Sequence, residues 1–127
     1  MTAAIHDRLF DAALNYLKTN GLEAQVRTAA SAILIDNIAL NAANYTGPAD
    51  SDVGGGGRML TCLVEDAGDM SGIPVDTGGD ASLVTICDGS SSSLILVQAD
   101  ITGATITLGA DDEVNLSSFK VALKDPT

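Results

Sequence analysis

The hydrophobic rhythm of this chain changes abruptly at Asn20-Gly21, and that change limits what it can fold into. Before it, Ile5, Leu9, Ala13 and Leu17 recur every four residues, and Phe10 and Leu14 widen the stripe. Such spacing places the apolar side chains on one face of a helix and predicts an amphipathic helix over Thr2–Asn20. Thr2 can cap its first turn through the hydroxyl. Asp7 and Lys18 match the positive and negative ends of the helix dipole. Gly21 is expected to close the helix in the left-handed conformation, which costs glycine no steric clash.

After Gly21 the period falls to two, in short runs broken by Gly, Ser and Asp. Glu23 to Thr28 alternates, with Ala24 and Val26 on one side. Ser31 to Asn41 carries Leu34, Ile38 and Leu40 on one parity and Ile33 and Ile35 on the other; it reads as strand, although its alanines would also permit helix. Met59 to Glu65 places Leu60, Cys62 and Val64 on one face. Ser82–Cys87 and Ser93–Ala99 flank Asp88-Gly89-Ser90-Ser91-Ser92, a hairpin signal with a longer loop than a two-residue turn. Leu94–Val97 is apolar on both parities, which predicts a central strand covered on both faces. Ala104–Leu108 is a further strand, with Ala104, Ile106 and Leu108 facing in, and Val114–Leu123 closes the chain as one long strand.

Between these runs lie two glycine-rich, acidic stretches, residues 42–57 and 66–80, expected as flexible loops. The first contains four consecutive glycines, Gly54 to Gly57, followed by Arg58-Met59. A phosphate-binding loop needs Lys followed by Ser or Thr there, so it is not one. The expected class is α+β and mainly β: an N-terminal amphipathic helix docked on an antiparallel β-sandwich or barrel-like sheet. At 127 residues this is one domain's worth of chain, with the helix in 1–21 and the β-rich body in 22–127.

Composition narrows the function. The chain holds 17 acidic and 6 basic residues, a formal charge of −11, so phosphate backbones and anionic membranes repel it and neither is an expected partner. A basic protein surface or a cation is the natural complement. No run is long enough to span a bilayer, and the N-terminus has no basic flank before a compact apolar stretch, so folding in a cytoplasm is expected. In that compartment Cys62 and Cys87 are expected as reduced, buried thiols, with a disulfide as the alternative.

Catalytic groups are sparse. His6 is the only histidine, it lies beside the terminus, and no G-x-S-x-G elbow is present. Carboxylates sit in loops, at Asp50 and Asp52, Asp66 and Asp69, Asp76 and Asp80, and Asp111 to Glu113. Oxygen ligands of that kind suit calcium, but none has the spacing of a calcium-binding loop, so they read as solvated turns. A glycosidase pair is disfavoured in a chain without Trp. Neither an enzyme activity nor a cofactor is expected.

Several framework stretches carry a resemblance: Ala4-Ile5-His6-Asp7 with Ala12 to Gly21, Tyr45-Thr46-Gly47-Pro48-Ala49-Asp50 followed by Gly57-Arg58, and Phe119 to Pro126. Together they resemble a family of small tailed-phage virion structural proteins of the head decoration, or cement, kind. Leu83–Cys87 departs from the pattern, standing where that family carries an aromatic-containing strand. The resemblance implies a homo-oligomer, a trimer favoured, located on the head exterior of the virion and bound to the major capsid protein or other virion proteins at capsomer junctions. It implies an interface drawn from the helix and the terminal strand, with Ile5, Leu9, Phe10, Leu14, Leu17 and Phe119 as candidates. On that expectation, deleting residues 1–20 abolishes particle binding. The alternatives are a tail, neck or connector subunit, and a receptor- or carbohydrate-binding module.

Overall fold

A computed structural model describes residues 4–65, 70–101 and 106–126. The helix α1 runs from Asp7 to Asn20 and is shorter than the periodicity predicts. Its cap is His6, in extended conformation, whose Nδ1 accepts the Arg8 amide at 3.1 Å. Thr2, the expected cap, lies outside the described residues.

Phe10, Leu14 and Leu17 are buried along one stripe, whereas Ile5, Leu9 and Ala13 are exposed. The four-residue repeat therefore marks the edge of the buried face and not its centre. Gly21 has φ −79°, outside the left-handed region. Its requirement is space: a Cβ there would run into the Tyr45 hydroxyl, the Leu17 carbonyl and the Ile86 side chain.

The larger sheet joins β1 (Glu23–Arg27), β2 (Ile33–Ala39), β7 (Leu83–Cys87) and β8 (Ile95–Asp100) in the order β2-β1-β7-β8, all antiparallel. Every residue of β7 is buried, while β8 is the sheet edge and is largely uncovered. The doubly covered strand is thus Leu83–Cys87, not Leu94–Val97. Apolar parity misleads at β8 because the register slips there: Val97 opposes Ile86, but Ile95 opposes Cys87. An extra residue in one strand switches the face of everything beyond it. A similar slip in β2, at Asp36-Asn37 with Asn37 at φ 55°, brings Ile35 opposite Val26 and Ile38 opposite Ala24.

The second sheet is β11-β4-β3, made of β3 (Tyr45–Asp50), β4 (Arg58–Cys62) and β11 (Phe119–Leu123). Residues 42–57 are therefore not one loop. Ala42–Asn44 form a 3-10 turn, β3 pairs with β4, and only Ser51–Gly57 connects them. The buried Asn44 accounts for the turn: its Oδ1 accepts the Asn41 amide and its Nδ2 donates to the Val64 carbonyl, both at 3.0 Å. At Gly57, with φ +83°, a Cβ would overlap the Leu123 carbonyl, so the glycine run ends where β11 crosses closest.

Of the stretch 66–80, residues 70–80 are likewise anchored, and residues 66–69 lie outside the described residues. Met70, Ile73 and Val75 are buried, β5 (Ile73–Pro74) pairs with β10 (Glu113–Val114), and β6 (Gly79–Ala81) pairs with β9 (Ile106–Leu108). The expected strand Val114–Leu123 is split between β10 and β11. Val114 opposes Ile73 whereas Val121 opposes Leu60 in another sheet, and the Leu116 amide between them donates to Met70. Ile106, expected to face in, is exposed, Leu108 is buried, and Ala104 lies outside the described residues.

The class is α+β, mainly β, with antiparallel sheets. One aliphatic core takes Leu14 and Leu17 from α1, Val26, Leu34, Ile35 and Ile86 from the larger sheet, and Leu60 and Cys62 from the smaller. The helix packs on β3 and β4.

Candidate interaction face

The polar side chains are mostly occupied in holding turns. Asp88 Oδ1 accepts from the Ser90 hydroxyl at 2.6 Å, the Ser90 amide at 3.0 Å and the Leu94 amide at 3.2 Å. Those bonds hold its carboxyl below the usual range. Asp112 accepts the Gly109 amide, Asp80 the Thr107 hydroxyl, and Asp52 the Lys120 ammonium. Arg58 reaches Asp11 on α1 at 2.8 Å and Asp50 on β3 at 2.7 Å. Among the described residues no three His, Cys, Asp or Glu side chains are grouped to hold a metal. Asp66 and Asp69 lie outside them.

One hollow of about 350 Å³ has mixed polar and apolar walls, between the β2 bulge at Asp36-Asn37 and Ser71–Pro74. Its groups bind one another. Asp36 Oδ1 accepts Gln25 Nε2 and the Asn37 amide, both at 2.8 Å, and its own amide donates to Asp76 at 2.9 Å. The bond from Gln25, first among its neighbours, holds Asp36 below the usual carboxylate range. Gln25, itself buried, also accepts from Arg27 and the Cys87 thiol. Cys62 and Cys87 are free buried thiols, and burial pushes Cys62 up to about 12, so Cys62 is not a nucleophile at neutral pH. His6 is occupied as the helix cap.

Part of the exposed surface is apolar. Leu22, Leu94 and Ile95 cluster where β7 turns into β8: the Leu22 amide donates to Cys87, Asp88 donates to Leu94, and Ile95 opposes Cys87. Leu22 and Leu94 are 48% and 58% exposed, high for leucines in a folded chain. From there a groove of about 190 Å³ continues along β8. Tyr16, Leu17, Leu96, Val97, Val121 and Leu123 are among its walls, which contain no charged residue.

Six residues were expected at an interface, and the structure divides them. Phe10, Leu14 and Leu17 are buried within the chain, although Leu14 and Leu17 also floor the groove. Ile5 and Leu9 are exposed at the start of the helix, and Phe119 is half-buried at the start of β11. Leu22, Leu94, Ile95 and Tyr16 were not among the six. The run Leu94–Val97 signals Leu94 and Ile95, but apolar residues on both parities mark a covered strand and an unpartnered edge alike.

No family model, curated protein or solved structure matches the chain. Geometry and chemistry alone therefore bear on its role.

Proposed function

We propose that this chain is a non-enzymatic structural subunit of a tailed-phage particle, most simply a head decoration protein. In this reading it sits on the virion exterior as a homo-oligomer, a trimer favoured, and binds the major capsid protein at capsomer junctions. The observation that supports it is the exposed apolar face of Leu22, Leu94, Ile95 and Tyr16 on a chain whose polar groups are bonded into caps and turns. A surface of that kind gains free energy by being covered, at about 25 cal/mol per Å² of apolar area removed from water.

The test is the copy number and position of the protein in purified particles, by cryo-electron microscopy with gel densitometry. Hundreds of copies at capsomer junctions support decoration, whereas about a dozen or fewer at one vertex would make it a tail, neck or connector ring. Absence from particles overturns the structural reading. Deleting residues 1–20 is not the informative variant, because Leu14 and Leu17 belong to the core. Leu94→Asp with Leu22→Asp alters the face and spares the core.

A further inference from the structure

We infer that Asn20-Gly21 is a spontaneous deamidation site held shut by the last turn of α1, and that its conversion releases the helix from β3. Of the asparagines in the chain, only Asn20 is followed by glycine, which has no side chain to shield its amide nitrogen from the asparagine carboxamide. In the reaction the Gly21 nitrogen attacks Cγ of Asn20 and the Cγ–Nδ2 bond breaks. Nδ2 leaves as ammonia, taking the proton of the Gly21 amide, and a cyclic imide remains. Water then opens the imide at either carbonyl. Opening at Cγ gives aspartate; opening at the main-chain carbon gives isoaspartate, whose backbone runs through Cβ and Cγ.

Both reacting groups are engaged in the folded chain. The Gly21 amide donates to the Leu17 carbonyl at 2.7 Å, and Asn20 Nδ2 donates to the Tyr16 carbonyl at 2.9 Å. Asn20 is the last residue of α1, and the imide closes only when its backbone leaves the helical ψ of about −42°. Gly21 is buried, and its carbonyl accepts the hydroxyl of Tyr45, the first residue of β3, at 2.6 Å. Conversion therefore proceeds at the open-chain rate multiplied by the fraction of time that this turn is frayed. Fraying of a helix end costs less than unfolding of the core, and here the Tyr45 bond adds to its cost.

The product does not fit back. Beyond Gly21 the chain is pinned again, because the Leu22 amide donates to the Cys87 carbonyl at 3.1 Å and the Leu22 carbonyl accepts the Leu40 amide at 2.9 Å. An isoaspartyl link adds one carbon to the main chain between these anchors and Leu17. There is no slack for it: a Cβ on Gly21 already meets the Tyr45 hydroxyl, the Leu17 carbonyl and the Ile86 side chain. The aspartate product keeps the chain length, but it loses the donor to Tyr16 and sets a negative charge at the negative end of the helix dipole.

The test incubates the full chain folded and in urea, then cleaves it after Lys18 and Arg27. The fragment between them holds Asn20 as its only asparagine, so mass spectrometry reads its deamidation directly. The folded chain is expected to convert roughly tenfold or more slowly than the unfolded one. Tyr45→Phe should speed the folded chain severalfold, whereas Leu34→Ala, buried beside Gly79, should not. Equal rates folded and unfolded overturn the inference. Equal acceleration by the two variants overturns it as well, because the opening is then global. If Tyr45→Phe does not fold, urea below the midpoint decides: a rate that stays nearly flat supports local opening, and one that climbs with the unfolded fraction overturns it. The isolated isoaspartate form should exchange its Gly21 and Leu22 amides roughly tenfold faster than the parent, with β7 unchanged. Exchange identical to the parent's overturns the release of the helix.

Discussion

The hydroxyl of Tyr45 donates to the carbonyl of Gly21 at 2.6 Å, across a contact too close for any side chain at residue 21. That bond ties the first residue of β3 to the end of α1. It places the groove, because Leu17 lies one turn before Gly21 and forms part of the groove floor.

Tyr45→Phe keeps the ring and removes the donor, leaving the Gly21 carbonyl without this buried partner. The expected loss is about 1–3 kcal/mol, the cost of an unsatisfied buried acceptor. Gly21→Ala should cost at least as much, because overpacking of this kind typically costs about 1–3 kcal/mol. Urea denaturation checks both, as a lowered midpoint with an unchanged slope.

The helix stripe separates in the same experiment. Leu14→Ala removes a fully packed side chain and should destabilise by about 2–5 kcal/mol. Leu9→Ala, at an exposed position, should stay within about 0.5 kcal/mol of the parent. Equal effects would mean that the helix face is assigned wrongly.

Alkaline stability follows from the buried ionisable groups. Burial raises both Cys62 and Tyr45 above their ordinary values, Cys62 from 9.0 to about 12. The unfolded chain therefore releases these protons first, and stability, complete below about pH 9, falls as pH rises through the window from 9 toward 12. Cys62→Ala combined with Tyr45→Phe should flatten that fall in thermal melts taken from pH 8 to 11. An identical slope in the double variant would assign the loss to other groups.

How much of this was legible in the sequence depends on how local its cause is. The helix, the β7–β8 hairpin and the class were readable because periodicity and turn residues act over a few positions. Phe10, Leu14 and Leu17 were readable as a stripe, but not as the buried one in place of Ile5, Leu9 and Ala13. That choice is made by β3 and β4, far along the chain. β3 was hidden because Gly47 and Pro48 are turn residues by local preference, and its pairing with β4 overrides them. The edge position of β8 was invisible for a related reason. A register slip mixes the parities of Ile95 and Val97, and only the strand order shows which side lacks a neighbour.

Arg58 joins three elements, reaching Asp11 on α1 and Asp50 on β3 from its place on β4. Both carboxylates raise the guanidinium above its ordinary value, Asp11 first. The Asp50 side chain is 92% exposed, so solvent screens that pair and it contributes little. Asp11 is better shielded and takes two of the guanidinium nitrogens, Nε at 2.8 Å and Nη2 at 3.3 Å. A lysine cannot reproduce that fork. Arg58→Lys and Asp11→Asn should therefore each lower the urea midpoint, and their double-mutant cycle should show the two effects to be non-additive. Asp50→Asn should be nearly silent. If Asp50→Asn costs as much as Asp11→Asn, the helix is not held to β4 through this arginine.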